Sequence, residues 1–526
     1  MKFASLIHIN APSELGYLFG TRPLKCGCLN HQGRKTMAYR DLREFIAVLE
    51  AEGELLRMGQ EVDWDNEIGA VSRRLCDRET QGINSPAILF ETVKGYPGGK
   101  FFTNTLTSYR RYALALGLPK DTPVKDIIEV YRHRIKKPLA PNVVAAASAT
   151  CKQNILTGDA VDLFQFPTPK WHAKDGHRYL GTFHTVICQE PGSDWVNWGT
   201  YRMGLHDKTS TGVLIIPSQH IGQIFAKYEE RGQPMPVCVA IGQDPVNVIV
   251  SASGFAGNVC EAEMAGALRQ EPVDLVKAET CDLLVPAHAE IILEGEIVPG
   301  ELRMEGPLGE YTGYYGGDRY PKPVFNVKCV THRNQPILTG SQEGVPLVDD
   351  NMMASISQSG LTKWLLIDVL AVPGVKDVFF LPYCAGWTFC IVAATNVHPG
   401  LATRITSAIW GSKFGGTLCR ADWVVVVDDD IDPTNIQQVL WSMVTRCDPV
   451  RGVHIMPQRA ISPLMPKIPV LDRTQGFMTG SSIMIDAQFP FHWRKCDPAS
   501  VPEVCDWNSW DQKTRARALA LLGETP

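Results

Sequence analysis

The sequence lacks any apolar run long enough to cross a membrane, because a membrane-spanning helix needs ~20 consecutive apolar residues. It also lacks a strong charge of either sign, since the formal net charge is -5 over 526 residues. This small net charge gives no reason to expect nucleic acid or an anionic membrane as a partner. Internal repeats and low-complexity tracts are absent too, which argues against a repeat architecture. These absences predict a cytoplasmic protein of ordinary globular composition.

Cysteine is present, but without the pattern of a disulfide framework. The 15 cysteines are scattered, their number is odd, and only Cys26 and Cys28 form a tight pair. A single Cys-x-Cys pair is a weak metal signal. Since the sequence shows no convincing secretory signal, we expect free thiols in a reducing compartment.

The length predicts several domains, and the helix and strand patterns along the chain predict an α/β protein in the broad α+β sense. A chain of 526 residues corresponds to roughly three to four domain-sized units. The predicted units are an N-terminal extension, an N-terminal α/β domain, a β-rich domain, a C-terminal α/β domain and a tail whose helix serves assembly: residues 1–36, 37–140, 141–336, 337–495 and 496–526. The sequence indicates no role for the extension.

The two α/β domains and the tail contain periodic patterns that locate individual elements. The patterns predict helices at 42–49 and 67–74, an extended segment from Val62, strands at 87–90 and 424–427, and helices from Pro433 and at 512–522. Three acids, Asp428 to Asp430, follow the strand at 424–427. This triplet could bind a metal, but we favour a solvated loop that caps the next helix.

The middle of the chain is dominated by short β-rich runs. The predicted strands lie at 181–187, 212–216, 237–241, 246–250, 290–293 and 324–330, and helices are expected at 221–231 and 261–268. Strands at this spacing predict a mostly antiparallel sheet or barrel with helices attached.

A glycine-rich segment from Glu305 to Gly317 carries two carboxylates, Glu305 and Glu310, five residues apart. Gly306, Pro307 and Gly309 lie between them, so the segment cannot form an ordinary helix. Carboxylates on a rigid turn suit proton transfer, which depends first on geometry and then on pKa. The alternative is a solvated surface turn with two unrelated acids.

Three further residues form a possible metal-binding set. Asn197 lies in an aromatic segment with Arg202, His220 follows a strand run, and Glu261 opens a helix. An amide, an imidazole and a carboxylate suit Mn²⁺ or Mg²⁺ better than Zn²⁺. Spacing alone does not join these residues, and a single histidine after a strand is more often structural.

Five motifs in order resemble the UbiD family of decarboxylases. They are Trp195-x-Asn197-Trp-x3-Arg202, Pro217-Ser-Gln-His220-Ile, Glu261-x4-Gly-Ala267-Leu, Val285-Pro-Ala-x2-Glu290 and Glu305-Gly-Pro-Leu-Gly-Glu310. The segments at 37–45 and 428–432 resemble the family as well, so the resemblance covers about residues 37 to 490. Each motif alone is weak, and their common register makes the resemblance specific.

The resemblance implies a fold, a reaction and a cofactor. The expected fold has an N-terminal α/β domain, a central flavin-binding split β-barrel and a C-terminal α/β domain that helps form a homodimer or higher oligomer. The expected reaction is the reversible, non-oxidative decarboxylation of a small aromatic carboxylic acid. The family uses prenylated FMN, which a partner flavin prenyltransferase supplies.

Residue roles carry over to matching positions. Asn197, His220 and Glu261 match ligands of a divalent metal, usually Mn²⁺, with K⁺ nearby in the region of Trp195; Glu263 is a competing metal ligand. Arg202, Glu305 and Glu310 match a catalytic network in which Glu310 donates the proton. The positions that match cofactor-binding residues are Asn197, Thr200, Tyr201, Arg202, Gln219, His220, Glu261 and Lys413.

The substrate remains open between several acids. The residues after Gly309 and the segment at 228–236 resemble the hydroxybenzoate-type branch of the family, so they favour a benzoate-like or hydroxybenzoate acid. The segment around Asn197 also resembles cinnamate-type enzymes. Heteroaromatic acids are a further alternative. Two alternatives come from other classes of protein. One is a non-catalytic flavin-binding protein, and the other is a metal-dependent hydrolase that uses Glu305 and Glu310 without flavin. The sequence does not give the oligomer, the direction of the reaction or the state of the cofactor.

Overall fold

A computed structural model describes residues 39–316, 319–412, 421–469, 471–472 and 478–524. Lys413 lies outside the described residues, as does the whole predicted extension, residues 1–36. The described part begins with a four-stranded sheet in the order β1-β2-β3-β18, and helices pack against it. Its elements are α1 (Leu42–Ala51), β1 (Leu55–Met58), α2 (Glu67–Thr80), β2 (Ala87–Phe90), β3 (Lys100–Thr103), α3 (Tyr109–Ala115), α4 (Val124–Arg134) and β18 (Ile337–Thr339).

The first helix, α1, shows how sequence produces these elements. Its four apolar residues at helical spacing are all buried, and the Asp41 side chain caps its start by accepting from the Glu44 backbone N–H at 3.1 Å. The predicted strand at 87–90 is confirmed. The extended segment expected from Val62 is only an isolated bridge to Val93, because the strand of this region lies earlier, at β1.

The centre of the chain forms a nine-stranded antiparallel sheet. Its order is β6-β9-β10-β17-β14-β11-β7-β8, and β5 pairs with β17. The strands are β5 (Asn154–Thr157), β6 (Tyr179–Gly181), β7 (His184–Gln189), β8 (Val196–Gly199), β9 (Met203–Leu205), β10 (Ser210–Val213), β11 (Met235–Ile241), β14 (Ile291–Glu305) and β17 (Tyr320–His332). The two longest strands, β14 and β17, pair as a hairpin in the middle of this sheet, and the glycine-rich segment lies between them in the chain.

Smaller elements surround the central sheet. They are β4 (Asn142–Val143), α5 (His220–Arg231), α6 (Pro245–Ala252), α7 (Glu261–Arg269), β12 (Asp274–Lys277), β13 (Leu284–Pro286), β15 (Leu308–Gly309) and β16 (Tyr315–Gly316). Strands β15 and β16 pair antiparallel within the glycine-rich segment, so this segment is a hairpin and not a helix, as predicted.

Two sequence predictions in this region are wrong. The run at 246–250 is helix α6 and not a strand: Pro245 occupies its first turn, and the Asp244 side chain accepts from the Val246 backbone N–H at 2.8 Å. Because α6 is buried on nearly all sides, its sequence shows no helical period, and a short apolar run does not distinguish helix from strand. The strand predicted at 181–187 is interrupted at 182–183 and divides between β6 and β7.

The C-terminal part is a five-stranded mixed sheet, in the order β19-β20-β21-β23-β22, flanked by helices. Its elements are α8 (Asp349–Trp364), β19 (Val375–Phe380), β20 (Phe389–Ala394), α9 (Leu401–Trp410), β21 (Trp423–Val427), α10 (Ile436–Arg446), α11 (Pro449–Gly452), β22 (Val453–Ala460), β23 (Thr479–Ala487), α12 (Phe491–Cys496) and α13 (Gln512–Leu522). The predicted mixed α/β fold class is confirmed.

Two acids of the triplet, Asp428 and Asp430, pair with arginine. Asp428 is buried and accepts from Arg446 at 3.0 Å, while Asp430 pairs with Arg446 through two bonds of 2.7 Å. The prediction of a solvated loop is therefore wrong for Asp428, and the next helix is capped by Asn435 instead. Among the described residues, no group of three or more His, Cys, Asp and Glu side chains is arranged to hold a metal ion. None of the described helices is long and apolar enough to cross a bilayer.

Candidate active site

A cleft with about 1160 Å³ of empty volume lies between the central sheet, helices α5 to α7 and the C-terminal part. Most of the residues predicted from the sequence line this cleft: Asn197, Thr200, Tyr201, Arg202, Gln219, His220, Glu261 and Glu310. Glu305 lies behind Arg202 and contacts it directly. The fold therefore gathers residues that are more than a hundred positions apart in the chain.

Arg202 connects the two predicted carboxylates. It follows β8, and its two terminal nitrogens diverge: Nη2 donates to Oε2 of Glu305 at 3.0 Å, and Nη1 donates to Oε1 of Glu310. Glu305 is the last residue of β14, whereas Glu310 lies in the turn between β15 and β16. All three side chains are buried. A guanidinium group between two carboxylates in this environment forms strong charge-assisted hydrogen bonds.

The two carboxyl groups have opposite pKa shifts. Burial of Glu305 raises its pKa, but the positive charges of Arg202 and Lys322 outweigh burial and bring the value down to about 2. For Glu310, burial outweighs the attraction of Arg202, and its pKa is raised above the ordinary value. Glu305 is therefore a permanent anion, while Glu310 can carry a proton that it is able to release.

Lys322 is a member of this network that sequence reasoning missed. It lies on β17, and its ammonium group donates to the Glu305 carboxylate and to the Glu305 backbone carbonyl oxygen, the latter at 3.0 Å. Its side chain is only 2% exposed. The sequence does contain one indication of this role. Lys322 lies two residues before the buried Val324, and side chains two residues apart on a β-strand face the same side of the sheet.

Two glycines leave the space that the carboxylates occupy. A Cβ atom at Gly316 would lie 2.3 Å from Cγ of Glu310, and a Cβ atom at Gly212 would lie 2.7 Å from Cγ of Glu305. Any larger residue would have to displace these side chains. The glycine-rich composition of the turn is thus explained by close packing around the acids.

The three predicted metal ligands come from one strand and two helix starts. Asn197 lies on β8, while His220 and Glu261 are the first residues of α5 and α7. Oδ1 of Asn197 lies 3.2 Å from Nδ1 of His220, and Oε2 of Glu261 accepts from the Trp198 backbone N–H at 3.1 Å. Burial raises the pKa of Glu261 to about 8, and backbone hydrogen bonds oppose this only in part.

This donor set fits a divalent cation that prefers oxygen ligands. An amide oxygen, an imidazole and a carboxylate converge on the cleft, and a positive ion would compensate the desolvated Glu261 carboxylate. Glu263, the competing candidate, is on the same helix but does not line the cleft. Gln219 adds a further polar side chain beside these three ligands. Its Oε1 atom is buried and has no hydrogen-bond partner among the described residues.

The opposite wall of the cleft comes from the C-terminal part. Its residues include Trp387, Ser462 and Leu464, and Tyr311 joins them through a 3.0 Å hydrogen bond between its hydroxyl group and Oγ of Ser462. The ring centroids of Tyr311 and Trp387 are 4.5 Å apart. This wall is aromatic and apolar, which suits a flat ring. None of these positions is predictable from sequence spacing, since they meet only in the folded chain.

Comparisons with known proteins match most of the described chain. Three family models match residues 46–131, 142–346 and 351–487, and they describe the N-terminal, Rift-related and C-terminal domains of 3-octaprenyl-4-hydroxybenzoate carboxy-lyase, UbiD. The chain is 31% identical over 468 residues to pyrrole-2-carboxylic acid decarboxylase of Pseudomonas aeruginosa, which covers 86% of this chain and 91% of that protein.

Two solved structures have the same fold. Vanillic acid decarboxylase of Sedimentibacter hydroxybenzoicus, in closed form, matches with a TM-score of 0.82 and 30% identity, over 93% of this chain and 99% of that one. An evolved dimeric form of the UbiD-class enzyme HmfF from Pelotomaculum thermopropionicum, in complex with prFMN, matches with a TM-score of 0.73 and 29% identity, over 90% of this chain and 100% of that one. The chain belongs to the UbiD family and is a decarboxylase, that is a carboxy-lyase, of this class.

Proposed function

We propose that this chain catalyses the reversible, non-oxidative decarboxylation of a benzoate-like or hydroxybenzoate acid, with prenylated FMN as cofactor. The observation that carries the proposal is a buried arginine held between two carboxyl groups at the wall of a cleft, one with a lowered pKa and one with a raised pKa. The similar proteins support it: one is named for pyrrole-2-carboxylic acid, one for vanillic acid, and the third is in complex with prFMN.

Glu310 is the proton donor in the proposed reaction. The bond between the ring carbon and the carboxylate breaks, CO₂ leaves, and the electron pair remains on the ring carbon. Prenylated FMN, when bound, supplies an electron sink for this pair. The protonated carboxyl group of Glu310 then delivers its proton to that carbon, and water returns a proton to Glu310.

Arg202 and Glu305 hold the donor in place. Arg202 fixes the Glu310 carboxyl group by a direct hydrogen bond, and it balances the charge that appears when Glu310 gives up its proton. Glu305 remains ionised and fixes the guanidinium group from the other side. A carboxyl group fixed in this way is already oriented when the substrate arrives, which lowers the entropic cost of proton transfer.

Asn197, His220 and Glu261 would hold Mn²⁺ or Mg²⁺, and a K⁺ ion near Trp195 belongs to the same proposal. The support is the donor set itself, together with the desolvated carboxylate of Glu261. The cation would neutralise that carboxylate and give the phosphate of the flavin a positive partner. Thr200, Tyr201 and Gln219 line the cleft beside these ligands and would contact the cofactor.

A heteroaromatic acid is the second candidate substrate, and the relative named for pyrrole-2-carboxylic acid favours it. A cinnamate-type acid is the third candidate, and a relative from Saccharomyces cerevisiae that is named for ferulic acid favours it. A non-catalytic flavin-binding protein would have no need for the intact carboxyl-arginine-carboxyl network. A metal-dependent hydrolase would act without flavin, so that activity of a colourless preparation would identify it.

The proposal extends to organisation and partners. We propose the domain boundaries predicted from the sequence, and the three family models, which end near them, support this division. A homodimer or higher oligomer is proposed, with support from exposed apolar side chains on α13, Leu521 and Leu522.

A flavin prenyltransferase would supply the cofactor, and a cytoplasmic location agrees with the free thiols of the described cysteines.

The experiment that tests the function is co-expression with a flavin prenyltransferase in the presence of Mn²⁺. Intact mass of the released cofactor and CO₂ release from a panel of benzoate, hydroxybenzoate, heteroaromatic and cinnamate acids would be measured. We expect prenylated FMN at about one per chain and CO₂ release from at least one aromatic acid. A chain that binds no flavin under these conditions, or that holds it and releases no CO₂, would contradict the proposal.

A further inference from the structure

One buried acid in the cleft has no part in the reaction described above. Glu343 follows β18, is 5% exposed and lines the same cleft as Glu310 and Tyr311. Both of its carboxyl oxygens are buried, and neither has a partner in hydrogen-bond geometry among the described residues, although the Ser341 side chain lies near enough to lower its pKa in part. Buried carboxyl groups are otherwise paired in proteins, so an unpaired one that faces a ligand cleft points to a ligand group as its partner.

The main chain that carries Glu343 is fixed relative to the proton donor. Nε2 of His172 lies 2.9 Å from the Glu343 backbone carbonyl oxygen, and Asp175 accepts from the His172 backbone N–H at 2.9 Å. The other carboxylate oxygen of Asp175 accepts from the Gly309 backbone N–H at 3.0 Å, next to Glu310. His172 and Asp175 thus connect the two segments, and the main chain at Glu343 is fixed relative to the segment that carries Glu310.

The surroundings of Glu343 favour its neutral form. Burial, the nearby carboxyl group of Asp350 and, to a smaller extent, those of Glu310 and Asp349 raise the pKa of Glu343 well above its ordinary value. A protonated carboxyl group has an O–H donor and a carbonyl acceptor side by side. It can therefore pair in both directions with a hydroxyl group, or accept from a ring N–H through its carbonyl oxygen.

We propose that Glu343 is a specificity-determining residue that hydrogen-bonds a polar substituent of the substrate ring, either a phenolic hydroxyl group or a ring N–H. This inference rests on the proposed function, because it assumes that an aromatic acid occupies the cleft. It divides the candidate substrates: acids with such a group are accepted, and matched acids without it leave the Glu343 carboxyl group desolvated and unpaired. A site built around a hydrogen bond discriminates strongly against the ligand that lacks it.

The test compares matched pairs of acids on the wild type, Glu343→Leu and Glu343→Gln. The pairs are 4-hydroxybenzoate with benzoate and pyrrole-2-carboxylate with furan-2-carboxylate. Binding to the purified holoprotein is measured by titration calorimetry, and kcat and KM are measured where CO₂ is released. For at least one pair, the wild type should favour the acid with O–H or N–H by about tenfold or more. Glu343→Leu should remove this preference, mostly through Kd and KM, and Glu343→Gln should retain part of it.

Controls separate this inference from the proposed function and from misfolding. Asp486→Leu removes another acid whose pKa is raised, half-buried on β23 and outside the cleft, and should leave the preference unchanged. Cofactor content and thermal unfolding are measured for every variant. If Glu343→Leu does not fold, the substrate preference of Glu343→Gln tests the inference instead, and it should be smaller than that of the wild type. The inference fails if the wild type prefers neither member of either pair, or if Glu343→Leu weakens both members equally. The proposed function fails separately, if no flavin binds or no acid releases CO₂.

Discussion

The ammonium group of Lys322 is bound to Glu305 at two points, the carboxylate and, at 3.0 Å, the backbone carbonyl oxygen. Glu305 thereby has two cations, since Arg202 contacts the same carboxylate. The network is therefore larger than the carboxyl-arginine-carboxyl triad. Lys322 does not line the cleft; it contacts Glu305 and has only a minor electrostatic effect on Glu310, so it is a positioning residue.

Replacement of Lys322 tests this role. In Lys322→Met, Glu305 loses one of its two cations, so its pKa rises from about 2 and Glu305 becomes protonated at a higher pH. We expect the acidic limb of the kcat/KM profile to move to higher pH, with a fall in kcat of roughly tenfold or more. Lys322→Arg, which keeps the charge, should recover part of both effects. An unchanged acidic limb in a folded Lys322→Met would show that the lysine is only structural.

Glu310→Gln tests the proton donor. The variant keeps the size of the side chain but has no acidic proton, so we expect normal binding of the flavin and a fall in kcat of roughly 10²–10⁴. Steady-state CO₂ release and the absorbance spectrum of the cofactor are the measurements. Glu301→Gln, at a partly exposed site on the same hairpin, is the matched control and should retain activity. Substantial turnover by Glu310→Gln would assign the proton to another group.

Stability should depend on pH through Glu305. Its folded pKa is about 2, below the ordinary value of 4.5, so its ionised form stabilises the fold above pH 4.5, and this contribution is lost as the pH falls toward 2. The full contribution is about 3 kcal/mol at neutral pH. Urea unfolding of the wild type and Glu305→Gln should therefore give a large difference at pH 7 and a smaller one at pH 3. A difference that does not change between these values would contradict the assigned ionisation.

Much of the fold could be predicted from the sequence where the pattern is local. The period of α1, the run of β2 and the start of α7 follow from side-chain spacing and from stop signals. Glycines between Glu305 and Glu310 correctly excluded a helix. In each case the determining residues are neighbours in the chain, so the information is present in a short window.

Other features depend on contacts between distant segments and left no local signal. Helix α6 has no apolar face distinct from a polar one because it is buried on nearly all sides, so its pattern resembles that of a strand. Strand position alone does not single out Lys322, which lies 17 positions along the chain from the carboxylate that it contacts. Glu343 became notable only when the structure showed that its carboxyl group faces the cleft unpaired. Pairing and burial are properties of the folded chain, and spacing does not reveal them.

Gly316→Ala tests the packing around the donor. The new methyl group would lie 2.3 Å from Cγ of Glu310 and must displace that side chain. Since a displacement of about 1 Å can cost roughly 10² in rate, kcat should fall strongly while the flavin still binds. Gly59→Ala is the matched control, because nothing lies within 4 Å of its Cβ position. Equal activity of the two variants would show that the turn can relax around a methyl group.

Glu261 is expected to couple metal binding to flavin retention. Glu261→Gln removes the only carboxylate among the three proposed metal ligands, so affinity for a divalent cation should fall by roughly 10-fold to 100-fold or more. Metal content by mass spectrometry and flavin content by absorbance should fall together, and a chelator should give the wild type the same two losses. Glu263→Gln, two residues along α7, is the matched control and should keep both. Loss of metal without loss of flavin would mean that the cation does not hold the cofactor, whereas an unchanged metal content would reject Glu261 as a ligand.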